Sequence, residues 1–186
     1  MWPRRAKPTS SATRAEVRLA RADDFAAIRT VERAAFGGDD EVQLVDRLRD
    51  GGDLLYELVA TVEKGVVVGH IAFSHLPVWL DEGGVVRAAA LAPLAVLPQH
   101  QRTGIGSALV RAGLEACAGS GVAGVVVLGH PAYYARFGFS AALAQHLRAP
   151  FSGDSFMALE LHAGALRTGE VRYARAFGID HGKNPG

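Results

Sequence analysis

The stretch at residues 91–106, LAPLAVLPQHQRTGIG, constrains this chain more than any other. It begins as an apolar run of strand character, and Pro98 ends the strand. A polar turn follows, with Gly104 and Gly106, and a helical pattern then runs to about residue 118. A strand that feeds a glycine-bearing helix start is a device for holding phosphate. The first backbone N–H groups of a helix have no intrahelical partner, and the helix dipole adds partial positive charge there. Glycines let the backbone approach without a Cβ in the way. The stretch therefore predicts a site for a diphosphate-containing molecule.

The remaining sequence narrows the class. A chain of 186 residues is most simply one domain with a substantial core. The net charge of +1 gives no overall field to recruit nucleic acid or an anionic membrane. No apolar run reaches the roughly 18–20 residues that span a bilayer. The basic start, MWPRRAKPTSS, lacks an apolar stretch behind it and is not a secretory signal. Residues 1–15 read as a flexible tail, 16–178 as one domain and 179–186 as a frayed end. The single cysteine, Cys117, has no internal partner, which fits a reducing cytoplasm. It lies within a helical pattern without an adjacent His or Lys and reads as an inert buried thiol. The seven histidines have no paired metal spacing and there is no C-x-x-C, so no metal is expected.

In order, a short strand is expected at 16–19. Two helices follow, at about 24–35 and from 40 to 50, with Asp23 and Asp39 or Asp40 as caps and glycine pairs as stops. Strands at 54–62 and 66–78 flank the hairpin signal Lys64-Gly65, and a third at 85–97 follows Asp81-Glu82-Gly83-Gly84. The 122–128 run, VAGVVVL, suits a strand buried on both faces. With the intervening helix it forms a βαβ unit, so it should lie parallel to the 91–97 strand. Pro131 starts a short helix ended by Gly138. Residues 140–155 read as loop, 156–161 as a strand and 171–173 as a weaker one.

Gln101-Arg102-Thr103-Gly104-Ile105-Gly106 reads Q-x-x-G-x-G. No Lys-Ser/Thr follows, so it is not a Walker loop. Leu109 stands where a dinucleotide fingerprint needs its third glycine, and the acidic residue expected after the next strand is missing. The block PLAVLPQHQRTGIGSALV, with YYARFGF about 25 residues later, instead resembles the GNAT superfamily of acyl-CoA-dependent N-acetyltransferases. Tyr134 to Phe139 matches that family's Y-x-x-x-G-F segment, and PAYYARFGF is similar to a bacterial branch of predicted acetyltransferases. The element order agrees over residues 16–175.

The resemblance implies an α/β (α+β) fold, with a mixed, mostly antiparallel six- to seven-stranded sheet and helices on both faces. It implies acetyl transfer from acetyl-CoA to a primary amine of a small molecule or peptide, in a ternary complex and without a metal. The backbone of Leu94, Ala95 and Val96 would pair with the pantetheine arm, which needs the two parallel strands to splay. Gln101, Arg102, Thr103, Gly104, Ile105, Gly106 and Ser107 would hold the pyrophosphate, and Phe137 would flank the cofactor. An N–H near Val96 would stabilise the oxyanion. Tyr134 would protonate the leaving thiolate, with an ordinary pKa of about 10.

The base is left open among Glu32, Glu41, His70, His75, Glu82 and a water relay. Period 2 places His70 and Ser74 on one face as candidate lining residues. Two departures are visible. Val127 stands where many members carry Asn, and the helix before Tyr134 is short. Acceptor specificity is expected from the first two helices and the 74–84 and 140–155 loops. Such folds commonly dimerise, and the C-terminal strands are the expected place. The alternative function is a non-catalytic acyl-CoA sensor or partner-binding module on the same fold.

Overall fold

The computed structural model describes residues 15–179. The expected tail at 1–15 and frayed end at 179–186 lie, apart from Ala15 and Ile179, outside those residues. Strand β1 (Glu16–Leu19) leads into helices α1 (Phe25–Phe36) and α2 (Asp40–Asp50). Then come β2 (Leu54–Val62), β3 (Val66–Leu80) and β4 (Val85–Val96), the long helix α3 (Ile105–Gly119) and β5 (Gly124–Leu128). The chain closes with α4 (Pro131–Tyr134), α5 (Ala141–Ala144), β6 (Leu147–Arg148), β7 (Phe156–Glu160) and β8 (Gly169–Val171).

One mixed sheet runs β1-β2-β3-β4-β5-β7, and β8 joins the far end of β3 and carries β6. Only β4·β5 and β6·β8 are parallel among the described strands. The sheet thus has eight strands where six to seven were expected. The extra strand is β6, two residues inside a stretch read as loop. Four-residue α5 was missed there too; Ser140 caps it, its Oγ accepting from the Leu143 N–H at 3.4 Å. Elements this short carry no periodicity to read.

Alternation along the strands sends side chains to both faces. Leu58, Ala60, Ile71 and Phe73 bury against Ile105, Leu109, Val110 and Cys117 of α3. On the opposite face Val59, Val67 and Ala95 bury against Ile28 and Val31 of α1. Strand β5 divides the same way. Val125 and Val127 join the α3 face and Val126 the other, which is why its sequence is continuously apolar. Contact with α3 is close where Phe73 crosses it: a Cβ on Gly113 would lie 2.1 Å from the ring. Cys117 is buried in this core, and burial pushes its thiol up to about 12, so it has no nucleophilic character.

The expected caps are absent. A single 3-10 turn, Ala22–Asp24, precedes α1, and Asp24 pairs with Arg18 through both carboxylate oxygens at 2.7 and 2.8 Å. Asp39, the residue before α2, pairs with Arg33. Asp24 also accepts from the Arg21 backbone N–H at 2.8 Å, so it ties Arg18 to the turn before α1, whereas the Asp39 carboxylate accepts from the Arg33 guanidinium in place of an α2 amide.

Candidate active site

Strands β4 and β5 pair in parallel only from Ala88↔Gly124 to Leu91↔Val127. Beyond that point β4 runs on to Val96 along β3, with Ile71↔Leu94 and Gly69↔Val96 in register. Past Leu91, then, its other edge has left β5, and the sheet opens into a fork. Backbone direction follows from the ladder. The Leu97 N–H donates to the Val68 carbonyl at 2.9 Å, so alternation turns the amide groups of Val96 and Leu94 away from β3, into the fork. The Val96 carbonyl on that edge accepts from Gln101 Nε2 at 3.0 Å. Gln101 therefore braces the strand end against the turn.

Arg102 and Gly104 take left-handed backbone conformations, with φ of 60° and 92°. Helix α3 then starts with no side-chain cap and no acidic residue in its first turn. The Ala108 N–H is bonded to the Gly104 carbonyl, so the amides of Ile105, Gly106 and Ser107 precede the first helical bond. A fifteen-residue helix with an uncapped, acid-free N-terminus offers free amides and partial positive charge, an arrangement that suits an anion.

A cavity of about 800 Å³ joins the fork to this turn. Leu94, Val96, Gln101, Arg102, Gly104, Gly106 and Ser107 line it, with His130, Tyr133, Tyr134 and Arg136 from the connection after β5. The lining carries two guanidinium groups and no carboxylate among the described residues. A larger concavity, about 1170 Å³, lies beside Arg47, Arg172 and Arg175, far along the chain from the glycine turn. It has none of the backbone geometry just described.

Four expected residues do not line the cavity with their side chains. Ala95 turns its methyl into the α1 cluster, and Ile105 belongs to the α3 core. Thr103 is exposed and donates to the His100 carbonyl at 2.6 Å, closing the turn. Phe137 packs beside the core, 5.4 Å from the Tyr133 ring with Arg111 and Arg136 over its face, and does not line the cavity. Tyr134 lines it while 8% exposed, against Phe139 and Tyr133. Burial, then the neighbouring Tyr133, raises its pKa above the usual phenol value. Its hydroxyl is a weaker acid than the sequence suggests and stays protonated throughout the working range. Tyr133 stands over the turn: a Cβ on Gly106 would lie 2.8 Å from its hydroxyl. His130 and Arg136 were missed because the family segment does not mark them.

Of the candidate bases, His70 and Glu32 are fully buried, and so is Ser74. None of the three lines the cavity, which corrects the expectation for His70 and Ser74. His70 Nδ1 meets Glu32 and its Nε2 meets Glu57 at 3.0 Å. Both ring nitrogens face carboxylate oxygens, so an imidazolium satisfies both. Burial opposes that charge, but the two carboxylates outweigh it and hold the His70 pKa above its usual value. Arg49 bonds Glu57 at 2.6 Å and Asp46 at 2.7 Å, and Arg29 bonds Asp46 at 2.9 Å. Glu32, Glu57 and Asp46 thus face His70, Arg49 and Arg29 across α1, α2, β2 and β3, and burial raises the Glu32 pKa against the opposing pull of His70. One oxygen, Glu32 Oε2, is buried without a partner among the described residues. Glu57 was not foreseen, since its pairing depends on how β2 sits against β3. His75 is exposed near the larger concavity, and Glu82 pairs with Arg167 in an exposed turn.

A domain model described as Acetyltransferase (GNAT) domain matches residues 16–142. The protein named uncharacterized N-acetyltransferase YhbS of Escherichia coli K12 is 38% identical over 158 residues, covering 83% of this chain and 93% of the relative. The crystal structure of Escherichia coli YhbS in complex with CoA superposes with a TM-score of 0.81, covering 92% of this chain and 96% of that one. A GNAT family acetyltransferase from Brucella melitensis in complex with acetyl-CoA, 36% identical, gives 0.72 over 89% of this chain and 99% of the other.

Proposed function

The chain belongs to the GNAT acetyltransferase family, and from that premise we propose that it moves an acetyl group from acetyl-CoA to a primary amine in a ternary complex. The observation that carries this reading is one cavity that joins a β4 edge free of β5, an uncapped glycine-flanked helix start and the Tyr134 hydroxyl. The structural relatives in complex with CoA and acetyl-CoA support the same co-substrate.

The residues fit such a molecule. The amides of Ile105, Gly106 and Ser107, with the Arg102 guanidinium, would hold its pyrophosphate. The free edge at Leu94 and Val96 would pair with its amide-bearing arm, as an added strand does. Bound, it supplies the acyl group as a thioester. The Val96 N–H then donates to the acyl oxygen as charge develops there. Tyr134 donates a hydrogen bond, and finally its proton, to the leaving sulfur. Its raised pKa makes the hydrogen bond the larger part of that role. Residues 16–178 act as one domain in this reading, and the lone buried cysteine agrees with a cytoplasmic setting.

The test is free-thiol release from acetyl-CoA against a panel of amines, with Tyr134→Phe as control. Release that depends on an amine supports transfer. Saturable binding without turnover on any amine would leave an acyl-CoA sensor as the better account.

A further inference from the structure

A second cavity, about 260 Å³, lies on the other side of the same fork. Ala92, Pro93 and Leu91 of β4 and Val127 and Leu128 of β5 form its floor. The first cavity takes over just beyond on both arms, one residue on at Leu94 of β4 and two residues on at His130 after β5. The two spaces therefore flank the point where β4 and β5 separate. The far wall comes from α1 and α2 through Phe36, Glu41 and Leu44, and from the C-terminal region through Phe151, Tyr173 and Phe177.

Two features give this space a chemistry. It is almost wholly apolar, and Phe36 and Leu128 on its lining are 46% and 51% exposed, so apolar surface there is open to a ligand. Among its described lining residues Glu41 alone is charged, and the Tyr173 hydroxyl is the only other polar side-chain group. A carboxylate at the edge of an apolar pocket favours a cation and disfavours an anion.

We infer that this cavity takes the acetyl acceptor, a primary amine carried on a compact apolar or aromatic body, with Glu41 holding the ammonium. The inference rests on the acetyltransferase reading. The volume, just below the 300–1,000 Å³ of drug-sized sites, suits an arylalkylamine and excludes a folded peptide segment. The ammonium gives one proton to Glu41 and thence to solvent. The freed amine attacks the thioester carbon through the fork; the C–N bond forms as the C–S bond breaks. The second nitrogen proton is lost, the sulfur leaves as the thiol, and the products are the N-acetyl amide, CoA and one proton. An acidic amine fails on two counts, since its carboxylate meets both an apolar wall and Glu41.

The experiment uses the full chain, first saturated with CoA and then in turnover with acetyl-CoA. The probes are 2-phenylethylamine, ethylamine (the amine without the body) and 3-phenylpropionate (the body with an anion). We expect calorimetric binding of 2-phenylethylamine at least tenfold tighter than either control, and a kcat/KM at least tenfold above that of ethylamine, the control that has an amine to acetylate. Glu41→Gln should weaken 2-phenylethylamine roughly tenfold, the scale of one charge-assisted contact. Leu44→Trp should abolish its binding by filling the space, while acetyl-CoA affinity reports that the variant is folded. Equal affinity for all three probes overturns the inference, as does undiminished binding to Leu44→Trp. Failure to bind acetyl-CoA at all is the separate signature of a wrong acetyltransferase reading.

Discussion

Tyr134 and His70 show how burial decides what a titratable residue does. Tyr134 is buried but lines a cavity, and burial raises its pKa above the usual phenol value, so it is a donor around neutral pH. Tyr134→Phe should lower kcat by about 10²-fold, at the low end for general acids, without moving the alkaline limb of the pH profile. Unchanged acetyl-CoA affinity would separate this from a packing effect. His70 has no opening to any cavity and holds α1 to the sheet as an imidazolium. Its raised pKa contributes stability that is fully present below 6.5 and lost as pH rises through the folded value. Glu57 works in the opposite sense: burial raises its pKa, but His70 and Arg49 more than reverse this, so its contribution is present above 4.5 and lost as pH falls. His70→Gln should cost about 3 kcal/mol in urea unfolding at pH 6 and flatten the decline on the alkaline side. The glycines and Tyr134 were readable in sequence because local motifs mark them. Glu57, Arg49, His130 and Arg136 were not, because their roles arise from strand register and from which side a turn faces.

At the scale of elements, the turn at 101–106 and the fork act as one unit. Gln101 ties the strand end to the turn, and Thr103 closes the turn on His100. Gly104 sits at φ 92°, where a side chain is strained. Gly104→Ala should destabilise the fold by about 1 kcal/mol and weaken acetyl-CoA binding more than that, because the turn's amides move. Parallel thermal unfolding and binding measurements distinguish the two losses. The long strands, α1–α3 and the parallel β4·β5 pair were legible from periodicity and from the βαβ order. The early parting of β4 and β5 was legible only through the family resemblance. Short α5 and β6 were lost because four and two residues give no pattern.

For the whole molecule, α3 on one face and α1 with α2 on the other leave the fork between them open to both sides. The core behind it is tightly packed, with the Phe73 ring occupying the space a Cβ on Gly113 would need. Gly113→Ala should destabilise by about 1–3 kcal/mol through a displaced Phe73, read as a lower urea midpoint at unchanged slope. Such a variant, at a residue that lines neither cavity, should keep its acetyl-CoA affinity at temperatures where it is folded. The central claim concerns the glycine-flanked helix start, and the most direct measurement is calorimetric titration of acetyl-CoA into the protein and into Gly106→Val. Wild type should bind with Kd in the range of about 1 µM to 1 mM, as substrates do. The variant, whose Cβ meets the Tyr133 hydroxyl, should bind at least tenfold more weakly. Equal affinity in the two proteins, or no binding by wild type at millimolar concentration, would contradict the account.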